Sequence, residues 1–236
     1  MRVRIISTLL WTVEYLFFYP KMKRRISKLP VLVHQPVILD VGANSGQSLK
    51  FFRKIFKESR IHAFEPNPSV YIDLAKNNSK NTFCYNFALG EVNTKADLFV
   101  SELHESSSLN SPDKSTRWYR LKQQILGLDE SGIANKLEVD VKTIDSVIVD
   151  LSIEEIFILK IDVEGAELRV LQGAADALSR GIISYIQFEE LRNDLYPNNY
   201  VEIRKLLLSF NFEEIFCIKH SFGNFYEHFY ALKEKA

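Results

Sequence analysis

Residues 37–46 read Val-Ile-Leu-Asp-Val-Gly-Ala-Asn-Ser-Gly, and this stretch decides the fold. Its first half is a continuous apolar run that ends in an acid and a glycine, which is typical of a strand buried in a parallel sheet. Ser48 to Phe56 then places apolar side chains on one face of a predicted helix. A buried strand, a glycine turn and a helix form the first part of a βαβ unit, whose turn indicates a ligand site at the carboxyl end of the sheet.

Strand and helix patterns alternate along the rest of the chain. We predict strands at 60–65, 82–88, 137–141, 156–163 and 182–189, and helices at 69–77, 166–178 and 200–210. Two aromatic-rich runs, 212–219 and 225–232, flank Gly223 and predict an antiparallel hairpin. The pattern predicts a doubly wound α/β fold, with a mostly parallel, seven-stranded, Rossmann-like sheet that ends in a C-terminal antiparallel hairpin.

The domain organisation follows from where this alternation starts and where it is interrupted. We expect one domain at 37–236, preceded by an apolar and basic helical segment at 1–36. Residues 101–135 are polar and break the alternation, with one predicted helix at 113–127. An insertion of this length in a compact domain is usually a lid, a specificity element or a disordered loop.

Positive charge is concentrated in the N-terminal segment. Residues 1–28 carry seven basic side chains and one acid, whereas the whole chain has 30 of each sign. The apolar run from Ile5 to Tyr19 is shorter than the roughly 20 residues that a membrane-spanning helix needs. Two alternatives stay open: a helix packed on the body as a cap, or an amphipathic segment that contacts anionic lipid headgroups at a membrane surface.

Composition narrows the classes of function. A formal net charge of zero argues against a dedicated nucleic-acid binder. Cys84 and Cys217 make no disulfide framework, and the five histidines show no metal-ligand spacing, so no metal site is predicted. We expect a cytoplasmic protein, located at the inner face of the membrane if residues 1–28 contact lipid. The oligomeric state is left open.

The glycine turn carries the first ligand prediction. Gly42 and Gly46 allow a tight turn, and the helix that follows offers N–H groups suited to a carboxylate. A dinucleotide fingerprint would require glycine where this chain has Asn44. A ligand with a carboxylate and a sulfonium needs no such close approach, and Asn44 can hydrogen-bond its amino-acid end. Glu65, at the end of the next strand, fits an acid that accepts both ribose hydroxyls.

A second polar feature lies within an apolar strand. By alternation, Lys160, Asp162 and Glu164 project from one face, and a buried lysine is costly unless it is paired. Asp162 and Glu164 are the expected partners. Such clusters more often mark a site than a structural network, so all three are predicted to be catalytic. Glu164 or Asp162 is the expected proton acceptor and Lys160 an electrostatic organiser, although the exchanged roles, with Lys160 as base, stay open.

Four motifs occur in order along the chain: DVGANSG at 40–46, AFEPNP at 63–68, ALG at 88–90 and LKIDVEGAExxVLxGA at 159–174. They resemble the FkbM family of S-adenosylmethionine-dependent methyltransferases across roughly residues 37–232. The resemblance implies S-adenosylmethionine as methyl donor and a hydroxyl acceptor, often on a sugar or secondary metabolite. Together with the turn and the strand ends, it assigns donor binding to Asp40, Gly42, Ala43, Asn44, Gly46, Glu65, Pro66, Asn86, Phe87, Ala88 and Asp162.

Two alternatives come from other functional classes. A nicotinamide-dependent oxidoreductase would share the sheet and Glu65, but Asn44 in the turn speaks against it. A catalytically inactive nucleotide-binding module would keep the fold while losing the donor turn or the acidic cluster, and this chain has both. The expected activity is therefore O-methylation of a small-molecule or glycan acceptor, whose identity stays open.

Overall fold

The structure is a computed structural model that describes residues 14–76, 79–101, 107–111, 115–116, 133–192, 199–221 and 224–233. The strands are β1 Val37–Val41, β2 Arg60–Phe64, β3 Thr82–Tyr85, β4 Ala88–Leu89, β5 Thr94–Ser101, β6 Ser107–Ser108, β7 Ile133–Lys142, β8 Ile156–Ile161, β9 Ile183–Leu191, β10 Phe212–Lys219 and β11 Phe225–Leu232. A π-helical turn at Glu14–Phe18 leads into the first helix. The helices are α1 Tyr19–Ile26, α2 Gln47–Ile55, α3 Pro68–Lys76, α4 Ile144–Asp150, α5 Glu167–Gln172, α6 Ala175–Arg180 and α7 Tyr200–Ser209.

The larger sheet positions the site. Among the described residues its hydrogen-bonded order is β10-β11-β9-β8-β1-β2-β3. β1 pairs in parallel with β2 on one side and β8 on the other, and β3 and β9 extend this parallel pairing. β11 is antiparallel to both β9 and β10. The predicted α/β fold with a large, mostly parallel sheet is confirmed, and its strand order reverses at β1, where doubly wound sheets bind ligands.

Helices cover both faces of this sheet because its central strands are apolar on both sides. Leu39 and Val41 of β1 pack with residues of α4 to α7. Ile38, directly before Leu39, packs on the opposite face with residues of α1 to α3. Alternate side chains of a strand point to opposite faces, so one short apolar run contributes to two cores. This explains why β1 reads as a continuous hydrophobic run.

The described part of the N-terminal segment packs on the body. Phe18, Met22 and Ile26 are buried in the core that also holds Ile38. Leu16 and Phe17 are exposed, as are the basic residues of α1. This arrangement matches the cap alternative, and contact between residues 1–28 and lipid stays a prediction.

Among the residues that the structure describes, no helix is both long enough and apolar enough to cross a bilayer.

A second sheet was not predicted. It has the order β4-β7-β5-β6, and β5 and β6 fall where the sequence predicted no strand. The predicted third strand at 82–88 was wrong in extent, because it ends at Tyr85 and the chain enters this second sheet at Ala88. β7 begins at Ile133, so the predicted insertion at 101–135 contributes strands at both of its ends. Apart from Ser115 and Thr116, the helix predicted at 113–127 falls outside the described residues.

Two further differences from the prediction bear on the site. β8 ends at Ile161, two residues before the predicted limit. The single helix predicted at 166–178 is two helices, α5 and α6, which meet at Gly173. A Cβ at Gly173 would overlap the carbonyl oxygen of Gly90, so a close approach between the two chain segments fixes this break. The Asp145 carboxylate then accepts the N–H groups of Asp176 and Ala177 at the start of α6.

Candidate active site

Residues 42–46, here called the donor loop, connect β1 to α2. Gly42, Asn44 and Gly46 have φ angles of +79°, +48° and +88°. A Cβ at Gly42 would overlap the carbonyl oxygen of Asp162, the first residue after β8. Glycine is therefore required at this position both by the left-handed backbone and by contact with the neighbouring strand end.

Glu65 is held against the donor loop. Its Oε2 accepts the N–H of Asn44 at 3.0 Å, and its Oε1 accepts the N–H of Asn67 at 2.9 Å. Burial raises the pKa of Glu65 to about 7, although the hydrogen bonds from Asn67 and Asn44 oppose this rise. Each carboxylate oxygen has two acceptor positions, so Glu65 can still accept donors from a ligand.

Asp40, Lys160 and Gln187 are register partners across β1, β8 and β9, and they form a polar row beneath the donor loop. Nζ of Lys160 lies 3.3 Å from Oδ1 of Asp40 and 3.1 Å from Oδ2 of Asp162. Ser48 at the start of α2 also donates to Asp40. Burial opposes the charged form of Lys160, but the Asp162 and Asp40 carboxylates outweigh it and raise its pKa. Lys160 therefore stays protonated, which argues against the alternative in which it is the base.

The predicted face of Lys160, Asp162 and Glu164 was wrong in part. β8 ends at Ile161, so strand alternation does not extend to Glu164, which has a φ of +51° in the following turn. The ion pairs of Lys160 are with Asp40 and Asp162, whereas the sequence predicted Asp162 and Glu164. A buried acid from the neighbouring strand thus supplies the second partner.

The turn after β8 is fixed by hydrogen bonds from the insertion on one side and from α5 on the other. Oγ of Ser108 donates to the carbonyl oxygen of Glu164 at 2.8 Å, and Nδ2 of Asn110 donates to that of Gly165 at 2.7 Å. Oε1 of Glu167 accepts the N–H of Gly165 at 3.0 Å. Residues 107–111 of the insertion are therefore attached to the candidate site.

Two crevices meet at the donor loop. The first crevice, of about 170 Å³, lies between the loop, the end of β2 and the turn after β8. Its walls include seven of the predicted site residues: Gly42, Asn44, Glu65, Pro66, Ala88, Asp162 and Glu164.

The other predicted donor residues lie outside the walls of the first crevice. Asp40 is buried in the polar row, and Gly46 directly precedes α2. Nδ2 of Asn86 donates to the carbonyl oxygens of Glu65 and Pro66 at 2.9 and 3.0 Å. The ring of Phe87 packs on those of Phe64 and Tyr85, and Ala43 lines the second crevice instead. Their direct contact with a donor stays a prediction.

The second crevice, of about 260 Å³, lies on the other side of the donor loop. It shares Gly42, Asn44 and Asp162 with the first crevice. Phe18, Tyr19 and Met22 from the N-terminal segment form one wall, and the first two turns of α2 form another. On the side of the sheet its polar residues are Lys160, Asp162, Gln187, Glu189, His220 and Glu227.

Glu189, His220 and Glu227 form what we call the glutamate–histidine cluster in this second crevice. Glu189 and Glu227 are register partners on β9 and β11, and Nε2 of His220 lies 3.6 Å from an oxygen of each. Burial, followed by the charges of Asp162 and Glu227, raises the pKa of Glu189. Burial alone would raise the pKa of Glu227, but His220 and Lys160 outweigh burial and lower that pKa. The cluster thus contains one glutamate with a raised pKa beside one with a lowered pKa.

Gln187, Glu189, His220 and Glu227 were not predicted to line the site. The available signal was polar residues at alternate positions in otherwise apolar strands, as in Gln187 and Glu189 beside Ile186 and Phe188. Their partners lie about forty residues further along the chain, and only the register of β9 with β11 brings them together. Phe188 and Tyr185 pack in the cores on opposite faces of the sheet.

Known proteins resemble this chain in sequence over most of the candidate site. The methyltransferase FkbM domain family matches residues 40–214. The 31-O-demethyl-FK506 methyltransferase FkbM of Streptomyces tacrolimicus is 30% identical over 158 residues, which cover 60% of each chain. The 2-O-methyltransferase NoeI of Sinorhizobium fredii is 23% identical over 164 residues, which cover 66% of this chain and 64% of that protein. The chain spans about three fifths of the length of the curated relatives it matches.

A solved structure extends the likeness to the fold. Methyltransferase FkbM from Methylobacillus flagellatus superimposes with a TM-score of 0.58 at 16% identity. The superposition covers 86% of this chain and 45% of that one. The family match includes the donor loop, Glu65 and the turn after β8. The chain belongs to the FkbM methyltransferase family.

Proposed function

We propose that this protein is an S-adenosylmethionine-dependent O-methyltransferase that acts on a hydroxyl of a small-molecule or glycan acceptor. The observation that carries the proposal is Glu65, a buried carboxylate fixed by the N–H groups of Asn44 and Asn67 at the strand end beside the donor loop. A nicotinamide-dependent oxidoreductase would use the same acid, but membership of a methyltransferase family favours methyl transfer.

The residues present fit the proposed donor. Glu65 supplies acceptors for two ribose hydroxyls at one end of the first crevice, next to Pro66 and Ala88. The donor loop and the start of α2 suit the carboxylate of the amino-acid end. Gly42, Asn44 and Asp162, which the two crevices share, would then hold the sulfonium end of the donor.

The acceptor then belongs in the second crevice, and Asp162 is the residue that we propose receives its proton. When bound, the donor supplies an electrophilic methyl group on a positively charged sulfur. Lys160 holds Asp162 at 3.1 Å and stays protonated, so it orients that carboxylate rather than taking a proton. Holding two reactants in register contributes up to about 7–11 kcal/mol, and a positioned base adds roughly 10²–10⁴-fold.

Glu164 is the alternative proton acceptor. It lines the first crevice, on the proposed donor side, whereas Asp162 lines both crevices. This position favours Asp162. The choice of a hydroxyl acceptor is supported by the names of two relatives, which describe methylation at oxygen 31 and at oxygen 2 of their own substrates.

Calorimetry tests the class of ligand. We expect S-adenosylhomocysteine to bind the wild-type protein and nicotinamide dinucleotides to show no heat of binding. Glu65→Ala removes acceptors for two hydroxyls, each hydrogen bond to a charged group being worth about 1.5–3 kcal/mol. Glu154→Ala, an exposed acid on the loop before β8, is the matched control and should bind normally. Equal affinity of both variants would refute the placement of the donor.

Turnover separates the two candidate bases and tests the inactive-module alternative. A panel of sugars and polyols is screened for release of S-adenosylhomocysteine. With an active acceptor, Asp162→Asn should lower turnover by at least about 100-fold, as expected for loss of a general base. Glu164→Gln should retain most turnover. The reverse result would transfer the role to Glu164, and near-normal turnover by both variants would end the general-base assignment.

A further inference from the structure

Two acids face each other across neighbouring strands in the second crevice. Glu189 and Glu227 are direct register partners on the antiparallel pair β9–β11, and their side chains are only 17% and 8% exposed. Like charges directly opposite one another on a sheet are destabilising. Buried charges in proteins are usually paired or bound to a metal ion. Lys160 is already shared by Asp40 and Asp162, whereas His220 lies close to both Glu189 and Glu227.

The distances within the glutamate–histidine cluster suit a metal ion. Nε2 of His220 lies 3.6 Å from Oε1 of Glu189 and 3.6 Å from Oε1 of Glu227. One ligand atom from each of the three residues lies within 4.8 Å of the others. A metal with bonds of about 2.0–2.2 Å to nitrogen and oxygen holds tetrahedral ligands roughly 3.3–3.6 Å apart. The side chains are thus already close to ligand spacing.

The side-chain amide of Gln187 is a second, independent indication that an ion binds in this crevice. Its side chain is 4% exposed and lines the same crevice. Nε2 donates to Oε2 of Glu227 at 2.9 Å, whereas the buried Oε1 has no hydrogen-bond partner among the residues that the structure describes. A buried polar atom left without a partner calls for an explanation such as an ion or a water molecule. An amide oxygen is a suitable neutral ligand for a divalent cation.

We propose that Glu189, His220 and Glu227 bind a divalent first-row transition metal ion, with Gln187 available as a further oxygen ligand. One imidazole and two carboxylates form a mixed nitrogen and oxygen set, which suits Mn²⁺ or Zn²⁺ better than Ca²⁺. The ligands come from β9, β11 and the connection after β10. This separation in sequence is why the histidine spacing predicted no metal.

A second group of possible ligands is a weaker candidate. Glu214, Cys217 and His228 also lie close together, but Glu214 and Cys217 are exposed. Both ring nitrogens of His228 are already engaged, at 2.9 Å from Glu190 and 2.9 Å from Glu214. This group therefore serves as the control for the glutamate–histidine cluster.

The role of the metal site rests on the proposed function. The cluster lies in the crevice proposed for the acceptor, which also contains Asp162. A hydroxyl bound to the ion would give up its proton more readily, and that proton would pass to Asp162. The hydroxyl oxygen would form a bond to the methyl carbon as the bond between that carbon and sulfur breaks, giving a methyl ether and S-adenosylhomocysteine.

Electron paramagnetic resonance of Mn²⁺ tests the site without any activity. The full chain, freed of metals with a chelator, is titrated with Mn²⁺ while the signal of the free ion is recorded. We expect one bound equivalent, displaced by Zn²⁺ more readily than by Ca²⁺. His220→Asn and Glu227→Gln should each weaken Mn²⁺ binding by at least about 10-fold, while Glu214→Gln should leave it unchanged.

The outcomes distinguish this proposal from the proposed function. Absence of Mn²⁺ binding, or loss of binding in Glu214→Gln alone, would overturn the metal site. Glu189→Gln gives a second exchange of charge at nearly constant volume if Glu227→Gln does not fold. Binding of S-adenosylhomocysteine is measured separately in the presence of chelator, so failure of the donor site and failure of the metal site give different results.

Discussion

The two crevices on either side of the donor loop satisfy their buried acids in different ways. In the first crevice, both oxygens of Glu65 accept backbone N–H groups from its own βαβ unit. At the floor of the second crevice, Lys160 is shared by Asp162 and the underlying Asp40, and within the crevice Glu189 and Glu227 share His220. Backbone donors fix a carboxylate through local geometry, whereas side-chain partners depend on how distant strands align. Glu65 of the first crevice is therefore positioned by local chain geometry, whereas the acids at the second crevice are brought to their partners only in the assembled sheet.

The largest expected effect is at the floor of the second crevice. Lys160→Met keeps a similar volume but leaves Asp40 and Asp162 without their ammonium group. Removing one partner of a buried ion pair typically costs about 3–5 kcal/mol, so denaturant unfolding should show a loss of that size. Lys136→Met is the matched control, because its pair with Asp97 is exposed and should contribute about 0–1 kcal/mol. Equal losses in the two variants would show that the second crevice does not depend on this charge.

The second-largest expected effect is a loss of donor affinity at the wall that the two crevices share. Gly42→Ala places a Cβ on a left-handed residue, against the carbonyl oxygen of Asp162. We expect binding of S-adenosylhomocysteine to weaken by at least about 100-fold, or roughly 2.7 kcal/mol, by calorimetry. The free energy of unfolding is measured alongside, so that a folding defect is recognised.

Gly181→Ala is the control for backbone strain alone. Gly181 also has a positive φ, but its nearest neighbour to an added Cβ is a side-chain carbon of Leu232 at 3.4 Å. This variant should lose stability, since alanine is strained at that φ, and yet bind S-adenosylhomocysteine normally. Similar affinities of the Gly42 and Gly181 variants would contradict the placement of the donor at the loop.

The contrast between the crevices also explains what the sequence could predict. The donor loop and Glu65 lie within one strand–helix–strand unit, so local patterning located them. The second partner of Lys160 was misassigned because strand alternation was extended past Ile161, where β8 ends. The actual partner is Asp40, which lies opposite Lys160 on the neighbouring strand β1. Glu189 and Glu227 could not be paired from sequence, because nothing local specifies which residues of β9 and β11 align. The second sheet was missed for the same reason. β5 is a strand through its antiparallel pairing with β7, which is distant in sequence.

The smallest expected effect belongs to the first crevice alone. The pKa of Glu65 is raised by burial to about 7, so this carboxyl is mostly ionised at pH 8 and mostly protonated at pH 6. The ionised form accepts two ribose hydroxyls, whereas the protonated form has lost acceptor capacity. Affinity for S-adenosylhomocysteine should therefore fall as the pH is lowered through 7, by about tenfold between pH 8 and pH 6, since one pKa unit corresponds to about 1.4 kcal/mol. Calorimetry at several pH values measures this step.

Two variants assign the titration to a residue. Glu65→Gln keeps the shape but cannot ionise, so its weaker binding should be independent of pH over this range. The pKa of Glu167 is also raised by burial to about 7, and its carboxylate holds the turn after β8 through the N–H of Gly165. If Glu65 is the titrating group, Glu167→Gln retains the pH step. A step that persists in Glu65→Gln and disappears in Glu167→Gln would mean that the turn after β8, and hence the wall shared with the second crevice, responds to pH in place of the ribose site.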